Sequence, residues 1–239
     1  MIIRRLAPLL AAIALAIGLP AAAQDMPTVL PQGFELNSIL NQQRVDAAID
    51  SRRSSAPVRS AAQLATTAYA PSPAVSQRVR RQFADWVGRQ AGPEAGRRVG
   101  EVLSNGDPVK SWAGIVSADG LRPGDVADAL AGYWVLNWVM ANGADNSRAQ
   151  TQGVLRQVRG LIGDNPAHAR LSPAQRQEMA EVLMLNFLLQ HAAYLEAVQR
   201  GDKTLARRLG DAANARFKNE MGVDLRGLSL TPAGFVRRA

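Results

Sequence analysis

The sequence predicts an all-α protein, a single bundle of about six or seven helices behind a disordered N-terminal leader. Three observations carry that prediction. The stretch from Leu171 to Arg200 reads as one long helix, apolar on almost every side around Val182, Leu183, Met184, Leu185, Phe187, Leu188 and Leu189, so neighbours must cover it on more than one face. A second element, Val126 to about Asn142, carries Leu130, Tyr133, Trp134, Leu136, Trp138, Val139 and Met140 and is expected to lie against the first. Helix starts and stops then recur at short intervals elsewhere, and no two segments match as paired strands.

Taken in order, Met1-Ile2-Ile3-Arg4-Arg5 is a short positive start, Leu6 to Leu19 is apolar, and Pro20-Ala21-Ala22-Ala23-Gln24 offers small residues for a signal peptidase. Residues 1–23 therefore read as a signal peptide cleaved after Ala23. The apolar run is shorter than the roughly 18 to 20 residues of a spanning helix, and no later run reaches that length, so no transmembrane segment is expected after signal removal. This address points to the periplasm or the exterior of a bacterial cell. Residues 24–70, rich in Ala, Ser, Gln, Arg and Pro, bury too little to offset the entropy of ordering and read as a flexible leader. Within it, Ile39, Leu40, Val45 and Ile49 form a thin helical stripe over Ser38 to Asp50, followed by a linker.

The helical domain is placed at 71–239. Ser72-Pro73 sets an N-cap and a first-turn proline, after which Val75, Val79, Phe83, Trp86 and Val87 fall at helical spacing. Gly92-Pro93 ends that helix and opens another to about Leu103, which Asn105-Gly106 closes; Asp107-Pro108 starts a short helix through Trp112 and Ile115. Asp125 caps the Val126 helix, with Asp128 favouring its positive end, and Asn142-Gly143 stops it. Ser147 to Ile162 is amphipathic, Gly163-Asp164-Asn165-Pro166 turns, and Ser172-Pro173-Ala174-Gln175 is a capping box for the long helix. Gly201-Asp202 breaks it before a helix from about Lys203 to Met221. The remainder is extended around Leu228-Ser229-Leu230 with a turn at Thr231-Pro232-Ala233-Gly234; lacking a second strand of equal strength, it is not expected to form a sheet.

Composition removes several chemistries. The chain has no cysteine, hence no disulfide, thiol nucleophile or thiolate metal site. His168 and His191, the two histidines, lack metal-ligand spacing, and neither metal nor cofactor is expected. No Gly-x-Ser-x-Gly elbow, Ser-x-x-Lys or phosphate loop is present. Loss of Arg4 and Arg5 takes the formal net charge from +8 to +6, and the arginines are spread in pairs at Arg80-Arg81, Arg97-Arg98, Arg207-Arg208 and Arg237-Arg238. Such a spread suits solvated faces or an anionic surface; specific nucleic-acid recognition would want them clustered with stacking aromatics.

Two amides stand inside the most apolar helices, Asn137 and Asn186. With His191 they define a candidate inter-helix polar pocket; the alternative is that the amides bond each other or the backbone and fix helix register. Glu178 and Glu181 lie three apart near a helix start. They form the one carboxylate pair from which acid–base hydrolysis of an envelope polymer could be built, although that position more often serves the helix dipole.

Four signatures resemble a family of exported proteobacterial proteins of unknown function: Tyr69-Ala-Pro-Ser72 before an arginine-rich helix, Asp125-Val-Ala-Asp128-Ala-Leu130 before a Tyr-Trp helix, Leu171-Ser-Pro-Ala-Gln175, and Leu230-Thr-Pro-Ala-Gly-Phe235. The resemblance spans Tyr69 to Phe235 and implies export and a helical domain; it transfers no catalytic residue. The functional expectation is an exported, non-enzymatic helical module that binds a protein or envelope component. A peptidoglycan-type hydrolase using the helix carboxylates and a peripheral binder of anionic surfaces are the alternatives.

Overall fold

The computed structural model describes Val45, Asp46, Ala48, Ile49 and residues 65–238. The expected signal peptide, its expected cleavage site and most of the expected leader lie outside the described residues. Eight α-helices are delimited within 65–238: α1 (Pro73–Ala91), α2 (Pro93–Asn105), α3 (Pro108–Val116), α4 (Val126–Asn142), α5 (Arg148–Gly163), the single turn α6 (Pro166–Ala169), α7 (Pro173–Gln199) and α8 (Lys203–Met221). The all-α class holds, and the additional helix is the turn α6 at the end of the Gly163–Pro166 break. No helix among the described residues is long and apolar enough to cross a membrane.

α7 is the axis of the bundle. It packs on α4, α1, α8 and α3, and it is buried almost without interruption from Gln177 to Leu195 because its sequence offers no polar stripe to turn outward. α4 is buried from Val126 to Ala141 and lies against α7, α8 and α5. Aromatic rings lock these layers: Trp112 of α3 meets Phe187 of α7 edge-on at 6.4 Å, and Phe217 of α8 stacks on Tyr133 of α4 at 5.8 Å. The helix starts use the anticipated local devices. Asp107 and Asp125 accept from the backbone of Lys110 and Ala127, and both Ser172–Gln175 and Ser147–Gln150 form reciprocal capping boxes.

The C-terminal segment departs from expectation. Leu228–Thr231 (β1) pairs antiparallel with Gly234–Arg237 (β2), Leu230 opposite Phe235 and Thr231 opposite Gly234. The expectation of no sheet is therefore corrected. β2 is too short to show alternation in the sequence, and its pairing depends on packing that the sequence does not display. Leu228, Leu230 and Phe235 point inward, Phe235 reaches Trp134, and Trp138 Nε1 donates to Leu228 O at 2.9 Å. The hairpin turn docks on α5 at Gly153, where a Cβ would stand 2.5 Å from Gly234 N and Pro232 O.

Part of the segment assigned to the leader is packed. Residues 65–69 form a strap across the bundle: Ala65 N donates to Gly163 O, Val126 N to Thr67 O and Tyr69 N to Gly124 O, with Ala68 bridged to Asp125. Arg176 Nε donates to Ala68 O, and the fully buried His168 meets Thr66 O through Nε2 at 3.2 Å. Further upstream, Val45 and Ile49 of the expected helical stripe are buried in the core, Asp46 pairs with Arg237 at 2.6 Å, and Gln157 donates to Ala48 O.

Two outcomes follow from this packing. Gly153→Ala should cost about 1–3 kcal/mol by pushing the hairpin off α5, read as a lower urea midpoint at unchanged slope. Burial holds His168 below its ordinary 6.5, so its neutral form favours the fold. That contribution is complete above 6.5 and is lost as pH falls through the lower folded value. Thermal unfolding should therefore show a steeper loss of Tm between about pH 7.5 and 5 in the natural chain than in His168→Gln. Equal slopes would remove His168 as the cause.

Candidate functional site

The described polar groups fall into three places: the contact between α1 and α7, the outer surface of the α1–α2 pair, and the interior between α4, α7 and α8.

At the first, the start of α1 is capped by a residue 105 positions away in the chain. Ser72 is the N-cap of α1, yet its own side chain makes no cap bond. Gln177, completely buried on α7, accepts from Ser72 N at 2.8 Å and donates to Ser72 O at 2.9 Å. The same amide nitrogen reaches Ser76 Oγ at 3.1 Å and Glu181 Oε1 at 2.8 Å. Ser76 Oγ in turn donates to Glu181 Oε1 at 2.7 Å. One turn before Glu181, Glu178 Oε2 receives Arg78 Nη2 at 3.1 Å. The carboxylate pair singled out in the sequence is thus divided between two sets of α1 partners, and both members tie α1 to α7. Tyr69, at the end of the strap, packs beside this seam. Burial first, and the negative charge of Glu181 second, push its phenol well above the ordinary range. A cleft of about 330 Å³ opens above Glu181.

On the outer surface, α1 and α2 approach until backbone meets backbone. A Cβ on Gly96 would lie 2.7 Å from Gly88 Cα and 2.8 Å from Ala84 O, so only glycine permits the crossing. Beside it runs a groove of about 970 Å³ with Gly88, Gly96 and Gly100 in its wall and Arg80, Arg81, Arg89 and Arg97 around it. These arginines are not equivalent. Arg80 donates to Leu103 O and Gly106 O and secures the α2–α3 turn, while Arg97 is paired with Glu94 and Glu101 on its own helix. Arg81 and Arg89 are exposed, stand one helical turn either side of Asp85, and make no hydrogen bond or ion pair with any described residue.

In the interior lie the sequence-derived candidates. Asn137 is completely buried; its Nδ2 donates to Tyr133 O of the preceding turn at 2.8 Å, and its Oδ1 accepts from Arg216 Nη2 of α8 at 3.3 Å. Asn186 donates to Val182 O at 2.9 Å, and His191 stacks on Phe187 with ring centres 5.6 Å apart. All three are buried, and none lines the groove, the cleft or the shallow hollow of Tyr194, Leu195 and Val198 near the end of α7. The buried Arg216 joins Asn137 without any warning in the sequence, where it sits in a polar stretch of α8. The pairing of Ser76 with Gln177 likewise has no sign in the sequence, where Arg80 and Tyr69 stand only in an arginine pair and a family signature.

The class is therefore a helical bundle with a small C-terminal hairpin, a polar seam that fastens α1 to α7, and a cationic outer groove. The chain belongs to the Family of unknown function (DUF6683), which matches residues 3–238. No curated protein and no solved structure matches it.

Replacing Gln177 by Leu would leave the Ser72 N–H and the Glu181 carboxylate short of partners. The expected cost is about 2–4 kcal/mol in urea unfolding, with Ser76→Ala costing about 1 kcal/mol. Loss from Gln177→Leu no larger than that from Ser76→Ala would contradict the assignment of Gln177 as the hub.

Proposed function

We propose that this protein is an exported, non-enzymatic helical module that binds a protein or envelope partner, and that the α1–α2 groove is its contact face. The observation that supports this most directly is the pair of unengaged guanidiniums, Arg81 and Arg89, over a groove large enough to receive a chain segment. A guanidinium is weakly hydrated for a cation and its planar fork matches carboxylates and phosphates, so the partner's contacting groups are acidic. The floor of small residues lets a backbone approach closely. Export rests on the N-terminal pattern of residues 1–23, and the family gives no activity to set against a binding role.

The division of Glu178 and Glu181 between Arg78 and the Ser76–Gln177 pair favours anchoring over acid–base work on a polymer. Peripheral association with an anionic surface is the second reading. It is favoured by Arg207 and Arg208, which are exposed on α8 and make no ion pair with described residues.

The two readings separate in one experiment. Retention of the protein on immobilised poly-glutamate and on vesicles of phosphatidylglycerol in phosphatidylcholine is measured for the natural chain, for Arg81→Glu/Arg89→Glu and for Arg207→Glu/Arg208→Glu. A groove-centred contact predicts about tenfold or greater weakening in the first double variant and little change in the second, with salt reducing retention throughout. Equal weakening by both, on vesicles alone, would instead favour the surface reading.

A further inference from the structure

The cleft above Glu181 has the opposite character to the rest of this basic chain. Its about 330 Å³ is lined by Tyr69 from the strap, Ser76 and Arg80 from α1, Asp107 and Val109 from the start of α3, and Glu181 from α7. Glu181 is 95% buried, with only 5% of its surface exposed. Its Oε1 takes both hydrogen bonds, from Ser76 and Gln177; its Oε2 takes none, and it is Glu181 that lines the cleft. The seam's donors are spent on the other oxygen, so Oε2 is left for a donor that enters the cleft.

The sign of the cleft follows from what its charges are already doing. Arg80 gives its hydrogen bonds to Leu103 O and Gly106 O and lies 4.0 Å from Asp107 Oδ1. Asp107 uses one oxygen to cap α3 and leaves the rest of its side chain exposed at the rim. Asp125 adds negative charge near the Tyr69 hydroxyl. Two carboxylates thus line the cleft against one guanidinium, whose Nη1 is given to Leu103 O and Gly106 O. Acceptor capacity remains at Glu181 Oε2, at a lone pair on Ser76 Oγ, and at the Tyr69 phenol oxygen, which already meets the Gly124 backbone. Three acceptors around a small negative cavity match the three N–H bonds of a primary ammonium, and Pro71, Pro123 and Val109 offer apolar wall for a short methylene chain.

We propose that the Tyr69–Glu181 cleft binds a primary ammonium group on a short aliphatic chain, with Glu181 Oε2 as its anchor. Two sources share that chemistry, a free small amine and a lysine side chain of a protein partner. Neither depends on the α1–α2 groove.

The test is a titration of the ¹⁵N-labelled full chain, followed through backbone amide resonances, with pentane-1,5-diamine, with Nα-acetyl-lysine N-methylamide, and with pentan-1-ol as the uncharged control. Saturable shifts of the Ser76, Gly124 and Gln177 amides are expected with the amines and not with the alcohol. Glu181→Gln should weaken binding about tenfold or more, the worth of one charge-assisted hydrogen bond in a buried setting. Asp107→Asn retains the helix cap, since asparagine caps as well as aspartate, and should weaken binding about threefold through loss of the rim charge. Stronger binding of the blocked lysine would assign the site to a protein side chain, and stronger binding of the diamine to a small molecule. Absence of saturable shifts with both amines, or equal response to pentan-1-ol, would overturn the proposal. So would unchanged affinity in a folded Glu181→Gln. Should Glu181→Gln not fold, unchanged affinity in Asp107→Asn overturns it.

Discussion

Burial of α7 on all sides is the constraint from which the remaining structure follows. A helix apolar around its whole circumference has no solvent face, and α4, α1, α8 and α3 are the elements that complete its cover. The cost of such an axis is that its polar groups need partners inside the fold, which Asn186 finds on its own helix and Gln177, Glu178 and Glu181 find on α1. Gln177, Glu178, Glu181, Asn186, Gln190 and His191 are all buried on this one helix. Those nearest its start reach α1 and thereby set where α1 begins and at what height it crosses. The polar residues of α7 are in this sense the positioning devices of the bundle, and its apolar residues supply the driving force.

The two surface features arise from that arrangement. With α7 on one side of α1, α2 packs chiefly on α1, through the Gly88–Gly96 contact, which brings the arginines of both helices round a single groove. The strap at 65–69 closes over the N-terminal ends of α7 and α4, held by backbone bonds to Gly163, Gly124 and Val126, and brings Tyr69 beside Glu181. A cationic outer groove and a small acidic cleft therefore share the helix α1, facing different neighbours.

What the sequence revealed divides along the same physical line. α7 and α4 were legible because their apolar residues are continuous, and the helix starts were legible because caps such as Ser172–Gln175 and Asp125 act within three residues. The β1–β2 pair was not, since β2 presents only Phe235 and Val236 as strand-forming residues and is held by Trp134 and Gln157, about 80 to 100 positions back in the chain. The strap was hidden for the same reason: its stabilisation is backbone bonding to distant loops, which composition cannot register. Of the candidate site, Glu181 was visible as one of a carboxylate pair, but its partners Ser76 and Gln177 and the Tyr69 wall became visible only when α1 lay on α7. Asn137 and Asn186 were visible as polar interruptions, whereas the reach of Arg216 to Asn137 was not.

α7 holds the bundle together, and the seam and strap fasten α1 and the chain before it to one end of that axis. Native-state hydrogen exchange resolved by residue tests this most directly. The account predicts that amides of residues 183–189 open only with global unfolding, while those of 65–69 and the first turns of α1 exchange together at a lower opening free energy. Slower exchange in α1 and α2 than in the centre of α7 would contradict it.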